Sequence, residues 1–289
     1  MEFRFRDTKL SLDRVAVMGV LNVTPDSFSD GGLWLDPDLA LAHGLEMAAD
    51  GAALVDVGGE STRPGADPVP EDEELRRVIP VVEALARGVD VPLSIDTRRA
   101  PVAARALEAG ASIVNDTGGE ESDPEMAAVI AASGAGVIAM HSRGSPGTMQ
   151  HLTTYADVVK EVADFLTGRA DHLKAMGVPH ESVVLDPGFG FAKTVEQNLE
   201  LLARFDELTA LGFPVLAGVS RKSFIGKILD VGVAERIEGT LAAGVWAVTK
   251  GARIVRAHDV RETVRAVRMT EAIQQALPEG SESRWTASR

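Results

Sequence analysis

The sequence predicts an α/β fold, a (β/α)8 TIM barrel with a short N-terminal hairpin, on three observations. Eight short β-rich runs recur along the chain: "VAVMGV" from 15, "ALVDV" from 53, "PLSID" from 92, "SIVND" from 112, "GVIAM" from 136, "SVVLD" from 182, "PVLAG" from 214 and "ARIVR" from 252. Segments with apolar residues three and four apart, the helical period, separate them. The runs are nearly all apolar, as parallel strands buried on both faces are. Eight alternations in 289 residues suit a barrel, which typically takes about 250 residues. A doubly wound open sheet is the alternative.

The elements follow in order. Residues 1–13, "MEFRFRDTKLSLD", read as a hairpin capping the bottom of the barrel. The first strand runs into the polar, glycine-rich stretch "MGVLNVTPDSFSDGG". Asp36 before Pro37 starts the helix "DLALAHGLEMAADG"; "EDEELRRVIPVVEALARG" follows the second strand and "VAARALEAG" the third. Asp123 before Pro124 marks the next helix start, "YADVVKEVADFLTGRADHLKAMG" follows the fifth strand, and Thr194 with Gln197 opens "TVEQNLELLARFDELTALG" as a capping box. Asp259 with Glu262 opens "RETVRAVRMTEAIQQAL". No linker divides residues 1–275, which read as one barrel domain, and residues 276–289 read as a flexible tail.

Composition narrows the function classes. With 43 acidic against 29 basic residues the formal charge is −14, which argues against nucleic acid or a membrane surface as partner. Any bound anion must then be held by a local group of cations. The chain has no cysteine, so disulfides, thiolate metal sites and cysteine nucleophiles are excluded. The charged N-terminus does not read as a signal peptide and no run approaches a membrane span, so the expected compartment is the cytoplasm. There is no GxGxxG fingerprint, Walker A loop, HExxH or GxSxG.

In a barrel the carboxyl ends of the strands form the functional face. Those ends carry Asn22, "GGESTRPG" from Gly58, Asp96, Asn115, His141 with Arg143, Asp186, "SRKS" from Ser220, and Arg256 with His258. One polar residue at a strand end is usually a helix cap; eight such ends form a site. Asp96, Asn115 and Asp186 suit the edge of a flat, nitrogen-rich heterocycle, base-like or pterin-like, because a carboxylate pairs with adjacent N–H donors. Arg63, Lys222, Arg256 and His258 suit a phosphate or pyrophosphate. Asn22, with Asp26 and Asp30 nearby, offers hard oxygens to Mg²⁺. Phe189 and Phe191 in "DPGFGFAKT" read either as an aromatic wall or as part of a turn that needs glycine. Asp56 reads equally as a hydrogen-bonded group of the barrel interior, and His43, His151, His172 and His180 read as surface.

"MGVLNVTPDSFSDGG" and "GAALVDVGGESTRPGA", followed in order by "SIDTRRA", "VNDTGG", "MHSRGSPGTMQ", "LDPGFGFAKT", "SRKSFIG" and "RAHDV", resemble the dihydropteroate synthase family from about residue 15 to about 270. The resemblance implies condensation of 6-hydroxymethyl-7,8-dihydropterin pyrophosphate with 4-aminobenzoate to 7,8-dihydropteroate, with Mg²⁺ as cofactor. The apolar stretches "LAAGVWAV" and "VRAVRMTEAI" read as a face for a homodimer or equally as helices packed on the barrel. The resemblance assigns Asp96, Asn115, Asp186, Lys222 and Arg256 to the pterin, with Asp96, Lys222 and Arg256 closest to the chemistry. It assigns Asn22, Arg63, Arg256 and His258 to pyrophosphate, Asn22 to the metal, and Thr62, Arg63, Pro64, Phe189, Lys222 and Ser223 to aminobenzoate. On this reading the stretch after the first strand is a lid. Pterin-dependent methyltransferase domains and a non-catalytic pterin-binding paralogue are the competing readings, and pyrophosphate release discriminates against both.

Overall fold

The computed structural model describes residues 1–24, 37–61 and 65–276. A two-stranded antiparallel hairpin, β1 (Glu2–Phe5) and β2 (Thr8–Ser11), precedes eight parallel strands. These are β3 (Ala16–Asn22), β4 (Leu54–Gly58), β5 (Leu93–Thr97), β6 (Ile113–Asp116), β7 (Gly136–Met140), β8 (Val183–Asp186), β9 (Leu216–Ala217) and β10 (Ile254–Ala257). Their order is β8-β7-β6-β5-β4-β3-β10-β9, and a parallel bridge between Leu185 and Val215 joins the two ends of that series. The sheet is therefore a barrel, and the open-sheet alternative falls. Each of the eight expected strands is present, shifted by at most two residues at its start.

Alternation along the strands sorts side chains between two cores. One alternate set, including Val17, Val55, Ile95, Val114 and Val137, packs outward against the helices. The inward set is Met18, Leu54, Ile113, Ile138, Val184, Leu216 and Ile254, closed from below by Phe3, Phe5 and Leu12. The hairpin is thus the barrel's plug, as the N-terminal sequence implies. Two residues further along the same faces, the interior turns polar: Asp56 follows Leu54, Asn115 follows Ile113, Asp186 follows Val184 and Arg256 follows Ile254. The carboxyl-terminal end of the barrel is where apolar packing stops.

The helices are α1 (Pro37–Ala49), α2 (Glu71–Gly88), α3 (Ala100–Ala109), α4 (Met126–Ser133), α5 (Val158–Ala175), α6 (Val195–Ala203), α7 (Phe205–Thr209), α8 (Ser223–Leu229), α9 (Ile237–Thr249) and α10 (Val260–Gln275). Thr194 and Gln197 form the expected capping box at α6. The single helix expected over 194–212 is two: Arg204 leaves helical geometry, its guanidinium binds Asp157, Glu200 and Glu207, and the break lets Phe205 enter the core. Asp259 precedes α10 but makes no side-chain cap there. Its carboxylate instead accepts from Arg221 Nε at 3.0 Å and Nη2 at 2.6 Å. The stretch read as a lid falls largely outside the described residues, as do Asp26, Asp30, Asp36, Thr62, Arg63, Pro64 and the tail from 277. Among the described residues no helix is long and apolar enough to cross a membrane.

Candidate active site

The polar layer at the carboxyl ends of the strands is one connected network. Asp56, fully buried on β4, accepts through Oδ2 from Arg256 Nε at 2.7 Å and from Asn115 Nδ2 at 2.9 Å. Arg256 spans the barrel interior and donates through Nη2 to Asp96 Oδ2 at 2.8 Å, while Thr117 donates to Asp96 Oδ1 at 3.0 Å. One guanidinium thereby fixes two carboxylates from neighbouring strands. On β8, Asp186 accepts the Gly188 N–H through Oδ1 at 2.7 Å. Its other oxygen lies 3.7 Å from where a side chain at Gly218 would begin, so Gly218 keeps the space beside it open.

Asp96, Asn115, Asp186, Phe189, Lys222 and Arg256 line one cleft. Two acceptors in this layer, Asp56 Oδ1 and Asn115 Oδ1, are buried without a protein partner among the described residues. An unpaired buried acceptor costs about 1–3 kcal/mol, and Asn115, which lines the cleft, is placed to take a donor from a ligand. A second chamber, lined by Glu60, Ser142, Met149 and Phe191, shares Asp96 and Thr117 with the first. Phe191 borders both chambers. Phe189 is almost wholly buried and stacks on Phe205, so it backs the wall more than it faces the opening.

Lys222 stands at the edge of the cleft. Lys222 Nζ lies 4.3 Å above the Phe191 ring, and Ser223 begins α8 beside it. His258, just past β10, has Nδ1 2.9 Å from Ser220 Oγ, and that oxygen also accepts the His258 backbone N–H at 3.2 Å. Asn22 ends β3, and its Oδ1 and the Asp96 carboxyl carbon both lie 3.8 Å from the position of a Gly58 Cβ. Glu60 accepts the Val69 N–H, and Arg99 binds Glu60, Glu74 and the Val69 carbonyl. Glu60 and Val69 are therefore tied to each other and to Arg99.

Burial sets the protonation of this layer. It pushes the Asp96 carboxyl up to about 7, against the attraction of Arg256 and with the help of Asp56. Asp186 is raised for the same first reason, opposed by the Gly188 N–H and by Lys222 and Arg256. Arg256 is held charged by Asp56 and Asp96, which outweigh its desolvation.

His141 and Arg143, read from the sequence as strand-end chemistry, do not join the cleft set. Arg143 binds Glu161 and the Thr154 carbonyl and stacks over Tyr155. His141 is buried against Phe165 and Tyr155, held down to about 2 by desolvation, with Nδ1 2.9 Å from Lys193 Nζ. The sequence reading left Asp56 open and missed Thr117 and Lys193. Period-two alternation from Leu54 is the signal for Asp56, since it places the carboxylate on the inward face. His43 and its exposed counterparts His151, His172 and His180 lie on helices or loops away from the cleft.

The chain matches the family model described as pterin binding enzyme over residues 18–258. It is 49% identical over 261 residues to the dihydropteroate synthase of Synechocystis sp., covering 90% of each chain. It is 46% identical to that of Escherichia coli, covering 94% of this chain and 96% of the relative. The crystal structure of the Yersinia pestis dihydropteroate synthase in a sulfonamide drug complex superposes with a TM-score of 0.92 at 45% identity, covering 96% of this chain and all of that one. The Thermus thermophilus enzyme in complex with 4-aminobenzoate gives 0.85 at 45% identity, with 94% and 100% covered. With a pterin-binding match through the whole barrel and such likeness at full length, the chain belongs to the dihydropteroate synthase family of pterin-binding enzymes.

Proposed function

We propose that the protein condenses 6-hydroxymethyl-7,8-dihydropterin pyrophosphate with 4-aminobenzoate, forming 7,8-dihydropteroate and releasing pyrophosphate. The observation that carries this reading is the acceptor set of the cleft, Asn115 Oδ1 and the open side of Asp186, with Lys222 and His258 at the neighbouring strand ends. A pterin brings ring and exocyclic N–H donors to the first set. Its pyrophosphate reaches the second.

The residues support a dissociative route. Once pyrophosphate departs, the electron-rich pterin ring carries the cation at its exocyclic methylene, and fixed charges at both ends of the breaking bond lower the barrier. Asp96, held by Arg256 and Thr117, is the carboxylate that stabilises that cation. The guanidinium face of Arg256 stacks on the pterin, and Lys222 approaches its carbonyl and ring nitrogen. His258, oriented through Nδ1 by Ser220, presents Nε2 to the leaving pyrophosphate together with Asn22 and Arg63. Thr62, Arg63, Pro64, Phe189, Lys222 and Ser223 hold the aminobenzoate, as the likeness to the enzyme solved with 4-aminobenzoate supports. The arylamine is neutral and nucleophilic at pH 7, so the site needs no dedicated base.

Asn22 fits Mg²⁺. This ion takes one or two protein oxygens and completes its shell with phosphates and water, and the absent side chain at Gly58 leaves room beside Asn22 Oδ1. When bound, the ion supplies charge neutralisation on the pyrophosphate.

The proposed assembly is a cytoplasmic homodimer. Leu199 of α6, Ile228 and Leu229 of α8, and Trp246 of α9 are each more than 40% exposed around an apolar groove floored by Gly239, Ala242 and Ala243. A second copy covers such a surface, and Trp246→Glu should convert the dimer to a monomer in light scattering. The reaction itself is tested by mass spectrometry of the product formed from both substrates with Mg²⁺. Appearance of 7,8-dihydropteroate supports the reading, and methyl transfer or tight pterin binding without product overturns it.

A further inference from the structure

Lys193 is a buried ammonium with no carboxylate among its hydrogen-bond partners. Its Nζ donates to the Gly188 carbonyl at 3.0 Å, to the Phe191 carbonyl at 2.9 Å and to His141 Nδ1 at 2.9 Å. Three donors meet three neutral acceptors, and the side chain is only 3% exposed. Burying a charge among neutral groups is costly. A methionine of similar length would fill the space without that cost, so the ammonium has to be understood through what it holds.

It holds an unusual loop. Gly188, Gly190 and Ala192 all have positive φ, at 67°, 82° and 49°. For Ala192 this is a strained conformation for an L residue. A Cβ at Gly188 would fall 2.0 Å from the His141 carbonyl oxygen, so the loop is pressed directly onto the end of β7. The same loop donates the Gly188 N–H to Asp186, carries Phe189 and Phe191, and seats Lys222 over the Phe191 ring. The two carbonyls that Lys193 grips bracket Phe189.

We propose that Lys193 is a positioning residue: its ammonium, anchored on His141, clamps the 188–191 loop and so sets the aromatic wall of the aminobenzoate site. This rests on the function proposed above. Lys193 touches no substrate, and its action passes through the carbonyls of Gly188 and Phe191.

The clamp depends on charge. A neutral amine keeps two N–H groups for the two carbonyls but meets His141 Nδ1 only through its lone pair, with the imidazole proton moved to Nδ1, so deprotonation replaces a charge-assisted grip on the loop by a weaker neutral one. Burial brings Lys193 down to about 7, with Asp186 on β8 opposing and Lys222 and Arg143 reinforcing that shift. The other groups facing it are neutral His141, with Tyr155 and Phe165 behind the imidazole, and Asn198 of α6. Tyr155 stays protonated throughout, its phenol pushed up to about 12 by burial.

The test measures kcat/KM for 4-aminobenzoate against pH, at saturating pterin pyrophosphate and Mg²⁺, in wild type, Lys193→Met and His141→Phe. Wild type should lose kcat/KM on the alkaline side, with a midpoint that moves to lower pH in His141→Phe, where the ammonium has lost an acceptor. Lys193→Met should lack that limb and lose about 10- to 100-fold in kcat/KM, the scale expected of misplaced contacts. The loss should lie mostly in KM for aminobenzoate, with pterin affinity kept within about twofold. A Lys193→Met enzyme with wild-type KM and an unchanged alkaline limb overturns the proposal, as does a wild-type alkaline limb that His141→Phe does not move. If Lys193→Met fails to fold, the wild-type and His141→Phe profiles decide alone. A wild type without turnover would instead sink the assigned reaction, which separates the two failures.

Discussion

Asp186 splits its two oxygens between structure and ligand, Oδ1 taking the Gly188 N–H and Oδ2 facing the space kept by Gly218. Asp186→Ala removes the ligand's acceptor together with the oxygen that takes the Gly188 N–H. Hydrogen bonds to charged groups contribute about 1.5–3 kcal/mol each, so calorimetry should show pterin affinity falling by at least that amount. Asp96 makes a second prediction, about pH. Its carboxyl, ordinarily near 3.8, is pushed up to about 7 by burial. Between those values the folded chain holds a proton that the unfolded chain has released, so this group's contribution to stability falls as pH rises through that window. Asp96→Asn removes the effect, and its Tm relative to wild type should rise between about pH 5 and about pH 7. A constant difference would contradict the assignment. At this scale the sequence shows the residues at the strand tips, because a βα turn exposes them as polar breaks after apolar runs. Asp56 and Lys193 are harder to read: one lies within a strand and the other beyond a loop, and their roles depend on register and on contacts with distant residues.

The strands are the most legible elements, because eight short apolar runs alternating with helical segments read as parallel strands buried on both faces. The α6 start is equally legible, since Thr194 and Gln197 satisfy each other's backbone N–H groups. Thr194→Ala should cost about 1 kcal/mol, the usual worth of a cap, read as a lower denaturant midpoint with KM unchanged. Asp259 shows where local signals fail: the same cap-like pattern occurs before α10, yet the carboxylate is taken by Arg221 from the β9–α8 connection. The break at Arg204 fails for a related reason, as its side chain serves three carboxylates that periodicity cannot see.

The molecule as a whole is a barrel whose interior is graded, aromatic at the plug, aliphatic in the middle and charged at the open end. That gradient separates stability from chemistry. Phe3 is fully buried in the plug, far along the strands from the cleft, and Phe3→Ala should lower stability by about 3–5 kcal/mol while leaving KM for both substrates intact at low temperature. The barrel class follows from the repeat of strand and helix. The pairing of Asp56, Asp96 and Arg256 across the interior follows only once the strands are in register, since 160 and 200 residues separate Arg256 from the two carboxylates. A formal charge of −14 confines the anion to the few cations at the strand ends. The most direct measurement is pyrophosphate release from pterin pyrophosphate and Mg²⁺, with and without 4-aminobenzoate, in wild type and Asp186→Ala. Release should depend on aminobenzoate and be lost in the variant; tight pterin binding by wild type with no release would refute the assigned reaction.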